Sequence, residues 1–250
     1  MIDWRQWGHE PLALSVLVLI ACAVVMIRGP LRLGFEWLPS PGFTLAGLVL
    51  AYLAIGPPWE QAGRYYLFSV QMAEQLLLIY GAAPLLVRGL SSIGGRTAAR
   101  PWLPAGTLGV ICGAVFVLGS GLCYLPKIHE RALRSEWGLS WEHLYVLATG
   151  IIFWWPVLSR QLRLPALRFA PRMAYLLVVQ VALAGAFTFL LMAEHAIYPT
   201  YEIAPRLTER LSPEEDQILA GVLLSAVGSV VLVTALGWAF FAWVRESEEN

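Results

Sequence analysis

The stretch YYLFSVQMAEQLLL, residues 65–78, opens a long apolar run that continues to Val87, yet it carries Gln71, Glu74 and Gln75 among Tyr, Phe, Met and Leu. Apolar and polar residues do not alternate in it as a half-buried strand requires, and the continuous run reads as a helix. On a helix, Gln71 and Gln75 stand four residues apart and stack on one face, with Glu74 next to that face. A glutamine pair in a membrane helix points to partners on other helices of a bundle. An ionisable Glu74 at this depth must face the interior and find a partner or stay protonated. Arg64 and Tyr124 are the candidates for that partner.

The rest of the chain supplies the bundle. Of 250 residues, 58% are hydrophobic and only 14% charged, where a soluble domain carries about 25% charged residues. So few charges cannot solvate a surface of this size, and the mean hydropathy of +0.64 points to the bilayer as solvent. The 11 Trp fit, because indole rings favour the membrane–water interface. Formal net charge is zero, which removes the electrostatic case for nucleic acid. Cys22, Cys112 and Cys123 each lie inside an apolar run with no CxxC pair, so no disulfide framework is expected. The leading MIDWRQWGHEP has one Arg against Asp3 and Glu10, which is a poor signal-peptide start.

A spanning helix needs about 20 mostly apolar residues. Seven candidates lie near 11–27, 42–56, 65–87, 106–125, 141–158, 173–193 and 217–244. The second is short and flanked by Pro41 and Pro57; the last is long enough to leave the bilayer. The expected fold class is all-α, a polytopic transmembrane helix bundle of about seven spans forming one integral membrane domain over 1–250. Ten of the 17 Lys and Arg fall on the side holding loops 28–41, 88–105 and 159–172 and the tail after 244. The loop SRQLRLPALRFAPR, 159–172, has four Arg and no acid. The positive-inside rule therefore places this side in the cytoplasm, with the N-terminus outside and the C-terminus inside. His9, His129, His143 and His195 all then fall at or near the outer face.

Polar residues at that face have structural and functional readings. Gln71 and Gln75 read as interhelical hydrogen-bonding groups. Pro126 ends the fourth span. Cys123 beside Tyr124 reads either as a small buried hydrophobe or as a soft ligand for Cu(I). In SWEHLYVLATG, Ser140 is placed to cap the fifth helix, with Glu142 in its first turn and His143 at the mouth of the bundle. In EHAIYPTY, His195 reads as interfacial, and Tyr198 and Tyr201 as headgroup anchors. In SPEEDQ, Ser212 caps the last helix, Pro213 takes its first position, and Asp216 and Gln217 lie deeper. No nucleotide loop, nucleophile elbow or HExxH motif occurs, so no enzyme activity is expected.

In this order, YLFSVQMAEQLLL with APLLV, YLP at 124–126, WEHLYVLATGIIFWWP, IYPTY and SPEEDQILAG resemble the bacterial polytopic CtaG-type family of cytochrome c oxidase assembly proteins. The resemblance covers residues 42–244 and implies a seven-span bundle. It also implies His at the positions of Gln71 and Gln75, and Trp-His where this chain has Cys123-Tyr124. A His pair four residues apart suits copper, whereas a glutamine amide oxygen is a harder, weaker donor. The resemblance thus implies a kept scaffold and a largely dismantled metal site, with Glu142, His143, the Tyr-Pro-x-Tyr segment and Asp216-Gln217 retained.

The expectation is a multi-pass protein of the bacterial inner (plasma) membrane that assists or accompanies a haem–copper oxidase. Its polar outer cavity would be lined by Gln71, Glu74, Gln75, Tyr124, His143, Asp216 and Gln217. Copper is the candidate cofactor, with His143, His195, Cys123 and Met72 as candidate ligands. The alternatives are a non-metal scaffold or accessory subunit of a respiratory complex, and a membrane transporter that uses buried Glu74.

Overall fold

Backbone N–H and C=O groups in hydrocarbon must find partners within their own segment, which leaves helices as the economical solution for continuous apolar runs. The computed structural model describes residues 41–56, 59–91, 102–135, 137–159, 165–206 and 211–248, and every regular element among them is a helix. The helices are α1 (Pro41–Ile55), α2 (Trp59–Tyr65), α3 (Phe68–Leu90), α4 (Ala105–Cys123), α5 (Pro126–Arg134), α6 (Gly138–Leu158), α7 (Phe169–Met192), α8 (Pro199–Glu202) and α9 (Pro213–Glu248).

Four of these, α3, α4, α7 and α9, are both long and apolar enough to cross a membrane, and α1 with α2 makes a fifth if that pair, bent by 46°, is one span. The expected span at 11–27 lies outside the described residues. The expected span at 141–158 is helix α6, whose 21 residues reach about 31 Å at 1.5 Å per residue. Glu142, His143 and Pro156 lower its hydropathy, so it passes on length but not on composition. Helix α9, at 36 residues, rises about 54 Å and outruns the roughly 30 Å hydrocarbon layer.

The long helices close a ring: α3 packs on α6, α6 on α4, α4 on α7, α7 on α9, and α9 back on α3. Helix α1 lies against the C-terminal half of α3. Inside the ring, Phe116 stacks on Phe153 at 4.5 Å between centroids, and Phe153 on Tyr175 at 5.7 Å. The Tyr175 hydroxyl donates to the Phe153 carbonyl at 2.9 Å.

Helix α3 is not a uniform α-helix. Residues Leu77–Ala82 form a π-helical turn, with Pro84 two residues beyond its end. Proline has no N–H to donate and its ring crowds the carbonyl four residues back, and a widened turn relieves both. The Ile79 carbonyl in this turn accepts the Trp154 indole N–H at 2.8 Å, which ties α6 to α3. Two glycines bring backbones together around the same helix. A Cβ on Gly150 would stand 3.1 Å from the Ala83 Cβ and 3.2 Å from the Ile79 Cα, and one on Gly89 would clash with Thr44.

Two local expectations change. Helix α6 begins at Gly138 with Trp137 as its N-cap, so Ser140 lies inside the first turn, buried, and caps nothing. The start is fixed earlier because Gly138 sits tight against the Ala132 backbone and donates to the Ser135 carbonyl at 3.3 Å. Pro126 does not merely end the fourth span: α4 stops at Cys123, and Pro126 opens a new amphipathic helix, α5. At α9 the capping box forms, with Glu215 N–H donating to Ser212 Oγ at 3.2 Å and Ser212 N–H to Glu215 Oε2 at 2.8 Å.

Candidate functional site

The N-terminal half of α3 presents Gln71, Glu74 and Gln75 to the bundle interior, where they are 0%, 2% and 0% exposed. Each meets a polar group on another element. Gln75 Nε2 donates to Glu142 Oε1 on α6 at 2.8 Å, and Gln75 Oε1 accepts the Tyr124 hydroxyl at 3.0 Å. Gln71 Oε1 accepts the Tyr201 hydroxyl at 2.8 Å, and that hydroxyl also lies 2.8 Å from the Gly63 carbonyl. Glu74 Oε2 lies 3.2 Å from His143 Nε2. Glu74 thus pairs with an imidazole of α6, whereas Arg64 lies 3.5 Å from Glu60 and donates to the Ser135 carbonyl at 2.7 Å.

A second imidazole completes the set. His129 on α5 is fully buried, with Nδ1 3.1 Å from Glu142 Oε1. Three rings surround it, with centroids 4.9 Å away for Tyr198, 5.6 Å for Phe68 and 6.2 Å for Tyr201. The buried centre therefore holds two carboxylate–imidazole pairs, Glu74 with His143 and Glu142 with His129. Gln75 bridges from α3 to the second pair. A bare carboxylate in such a place would cost several kcal/mol, and an imidazole beside each one offsets that cost. The Glu142–His129 contact is a hydrogen bond at 3.1 Å, whereas Glu74 and His143 approach each other as an ion pair at 3.2 Å.

The sequence reading placed His129 at the outer face but not in the site. The signal was present: His129 and Leu133, four apart, are the buried residues of α5, while Lys127, Arg131 and Arg134 are exposed. Tyr198 and Tyr201 are not headgroup anchors. They are 1% and 5% exposed, and the Tyr198 hydroxyl donates to the Tyr124 carbonyl at 2.8 Å. Their short segment folds over the bundle mouth, because Glu130 on α5 accepts both the Thr200 N–H at 2.9 Å and the Thr200 hydroxyl at 2.7 Å.

Asp216 and Gln217 sit apart from the paired centre. Asp216 accepts the Phe68 N–H at 2.6 Å, the Ser69 N–H at 3.3 Å and the Ser69 hydroxyl, and so holds the first turn of α3. Gln217 accepts the Ile197 N–H at 2.7 Å, which pins the segment leaving α7. Gln71, Glu74, Gln75, Tyr124 and His143 do come together: Gln71 bonds Tyr201, Gln75 bonds Tyr124 and Glu142, Glu74 pairs with His143, and His129 joins through Glu142.

The donor set does not fit copper. Among the described residues no group of three or more His, Cys, Asp or Glu side chains is placed to hold a metal ion. His129 and His143 face different carboxylates. The amide oxygens of Gln71 and Gln75 are taken up by tyrosine hydroxyls. His195 is exposed on the segment after α7, whereas Cys123 and Met72 are buried in the hydrophobic core.

Compared with known families, the chain matches the model of the cytochrome c oxidase caa3 assembly factors over residues 18–246. No curated protein and no solved structure matches it.

Proposed function

The chain belongs to the cytochrome c oxidase caa3 assembly factor family, and from that premise we propose that it works in oxidase assembly as a membrane scaffold without a resident copper ion. In this reading it forms one seven-span domain in the bacterial inner membrane, with the N-terminus outside and the C-terminus in the cytoplasm. Its outer end packs against a subunit of a haem–copper oxidase during assembly. Four or five apolar helices of spanning length support the membrane location. The observation that carries the scaffold reading is the use made of positions 71, 75 and 124. All three are hydrogen-bonding groups engaged with other side chains: Gln71 through its amide oxygen with Tyr201, Gln75 through both ends of its amide with Tyr124 and Glu142, and Tyr124 through its hydroxyl. The polar centre then acts as a brace that fixes α5, the 198–202 segment and the start of α6 against α3, and so shapes the face offered to the oxidase.

The test is copper content and partner capture in one preparation. The chain is purified under reducing conditions from copper-supplemented membranes. The expected result is no copper on the intact chain, oxidase subunits co-purifying with it, and copper gained by the Gln71→His, Gln75→His, Tyr124→His variant. Stoichiometric copper on the intact chain, lost on His143→Ala, would overturn the scaffold reading in favour of copper delivery.

A further inference from the structure

Helix α5 carries a second pattern besides its buried His129 and Leu133. Lys127, Arg131 and Arg134, spaced four and three apart, share one exposed stripe on the opposite side. Going around the helix from the buried face, at about 3.6 residues per turn, Glu130 comes first, then the basic stripe, then Ile128 and Ala132. The two flanks of the stripe differ. Glu130 accepts from Thr200 and Arg134, so that flank is closed by the protein itself. On the other flank, Ile128 and Ala132 border exposed Leu122 of α4 and exposed Trp141 and Tyr145 of α6.

The fold alone does not account for the stripe. The helix dipole favours Arg131 and Arg134 in the last turn but opposes Lys127 in the first, where no acid stands. Like charges three or four residues apart on a helix also repel one another. Lys127 and Arg131 form no ion pair among the described residues. An anion beside them would remove both costs.

The depth of α5 follows from α4. The 19 residues of α4 rise about 28 Å, which matches the roughly 30 Å hydrocarbon layer. Its ends therefore fall at the two edges of that layer, and α5 begins three residues past one of them. Trp137 and Trp141, exposed at the adjoining start of α6, are of the residue type that favours this level. At the edge of the hydrocarbon, a helix with a basic side and an apolar flank meets phosphate above and acyl chain below. An acidic protein face would answer the charges but not the apolar flank; an anionic lipid answers both in one molecule.

We propose that α5 is an interfacial helix whose Lys127–Arg131–Arg134 stripe binds the phosphate headgroup of an anionic phospholipid, with an acyl chain lying against Ile128 and Leu122. The lipid then bears on the same helix that carries His129 to Glu142. The proposal rests on the membrane location and not on a role in oxidase assembly.

The experiment titrates the full chain, in mild detergent, with phosphatidylglycerol and with phosphatidylcholine of the same acyl chains, and counts bound lipids by native mass spectrometry. Phosphatidylglycerol should bind about tenfold more tightly at its first site, the scale of two exposed basic residues at a charged surface. That preference should narrow as ionic strength rises. The double variant Lys127→Gln, Arg131→Gln should bring the two lipids level; Arg134 stays in place because it bonds Glu130. The double variant Arg206→Gln, Arg245→Gln removes the same charge at exposed positions elsewhere and should leave the preference intact. Equal binding of the two lipids by the unaltered chain overturns the proposal and leaves the stripe to an acidic protein face. So does a preference that survives Lys127→Gln, Arg131→Gln, or one lost equally in Arg206→Gln, Arg245→Gln. Displacement of the lipid by glycerol phosphate, which has the anion but no chains, overturns it as well.

Discussion

Helix α3 is held in two different ways along its length. Its N-terminal half meets its neighbours through side-chain hydrogen bonds, from Gln71 to Tyr201 and from Gln75 to Glu142 and Tyr124. Its C-terminal half meets them mainly by close packing at small residues, as with Gly89 against Thr44 and Ala83 against Gly150. Lipid tails are as apolar as leucine, so burying apolar surface between helices gives little driving force in a bilayer. What remains is close packing, available to any pair of small residues, and polar pairing, which a given partner satisfies only in one register. The packed half therefore supplies contact, and the polar half supplies the choice of partner and angle. The two halves should respond differently to substitution.

The largest effect is expected at the second imidazole. His129→Ala strips Glu142 of its ionisable partner and should cost about 3–5 kcal/mol, the usual cost of orphaning one member of a buried pair. Denaturant unfolding in bicelles, followed by tryptophan fluorescence, would measure it. The double variant His129→Leu, Glu142→Leu should recover most of that loss, since removing both partners is far cheaper than removing one. A single variant within about 1 kcal/mol of the parent would break the comparison, because the polar half would then be no more demanding than ordinary interhelical bonds in membranes.

Next comes the packed half. Gly150→Val would place a β-branched side chain about 3 Å from Ala83 and Ile79 and should cost about 1–3 kcal/mol by overpacking. The signature distinguishing it from a polar variant is rescue by volume. A wild-type-like unfolding curve for Gly150→Val alone would show that the two helices have room to separate there, and the packed half would lose its role.

Gln75→Leu is expected to cost less, about 0.6–1.7 kcal/mol, from the average to the maximum measured for interhelical hydrogen bonds in a membrane bundle. It removes one donor to Glu142 and the acceptor for Tyr124 but leaves the His129 pair in place. A loss as large as that of His129→Ala would mean that the amide, not the imidazole, holds the carboxylate.

How much of this was legible beforehand follows the same division. The apolar runs marked α3, α4, α7 and α9, because length and hydropathy are local properties of sequence. The i, i+4 glutamines marked the face of α3 that seeks partners. The number of spans was less legible: α6 is long but carries Glu142 and His143 in its first turns, and α1 is short and bent away from α2. Partners were the least legible part. His129 lies in PKIHERALR, a stretch polar enough to read as a loop, and only the packing of α5 on α6 turns its ring inward. Tyr198 and Tyr201 fit an interfacial belt by type, yet the Glu130–Thr200 contact folds them over the bundle. Asp216 and Gln217 were singled out for depth, but their side chains reach backbone groups of other elements rather than the paired centre. A side chain's neighbour on another helix is set by the crossing of two axes, and neither segment encodes that alone.

That Glu130–Thr200 contact gives the smallest and most easily titrated effect. Burial alone would raise the Glu130 carboxyl, but the Thr200 N–H, the Thr200 hydroxyl and Arg134 together hold it below the ordinary range. A carboxylate with a depressed folded pKa stabilises fully above the unfolded value and loses that contribution as pH falls through the folded one. Hydrogen exchange at the Thr200 amide should therefore keep the same protection, corrected for intrinsic rate, from pH 7 down to about 5. Protection should then fall on acidification below the usual glutamate value of about 4.3. Glu130→Gln should remove the pH dependence and cost about 1 kcal/mol or less, because the site is partly open to solvent. A Thr200 amide as well protected in Glu130→Gln as in the parent would mean that Tyr198 and Tyr201 alone close the mouth. In that case the brace over the polar centre would be aromatic packing rather than a charge-assisted hydrogen bond.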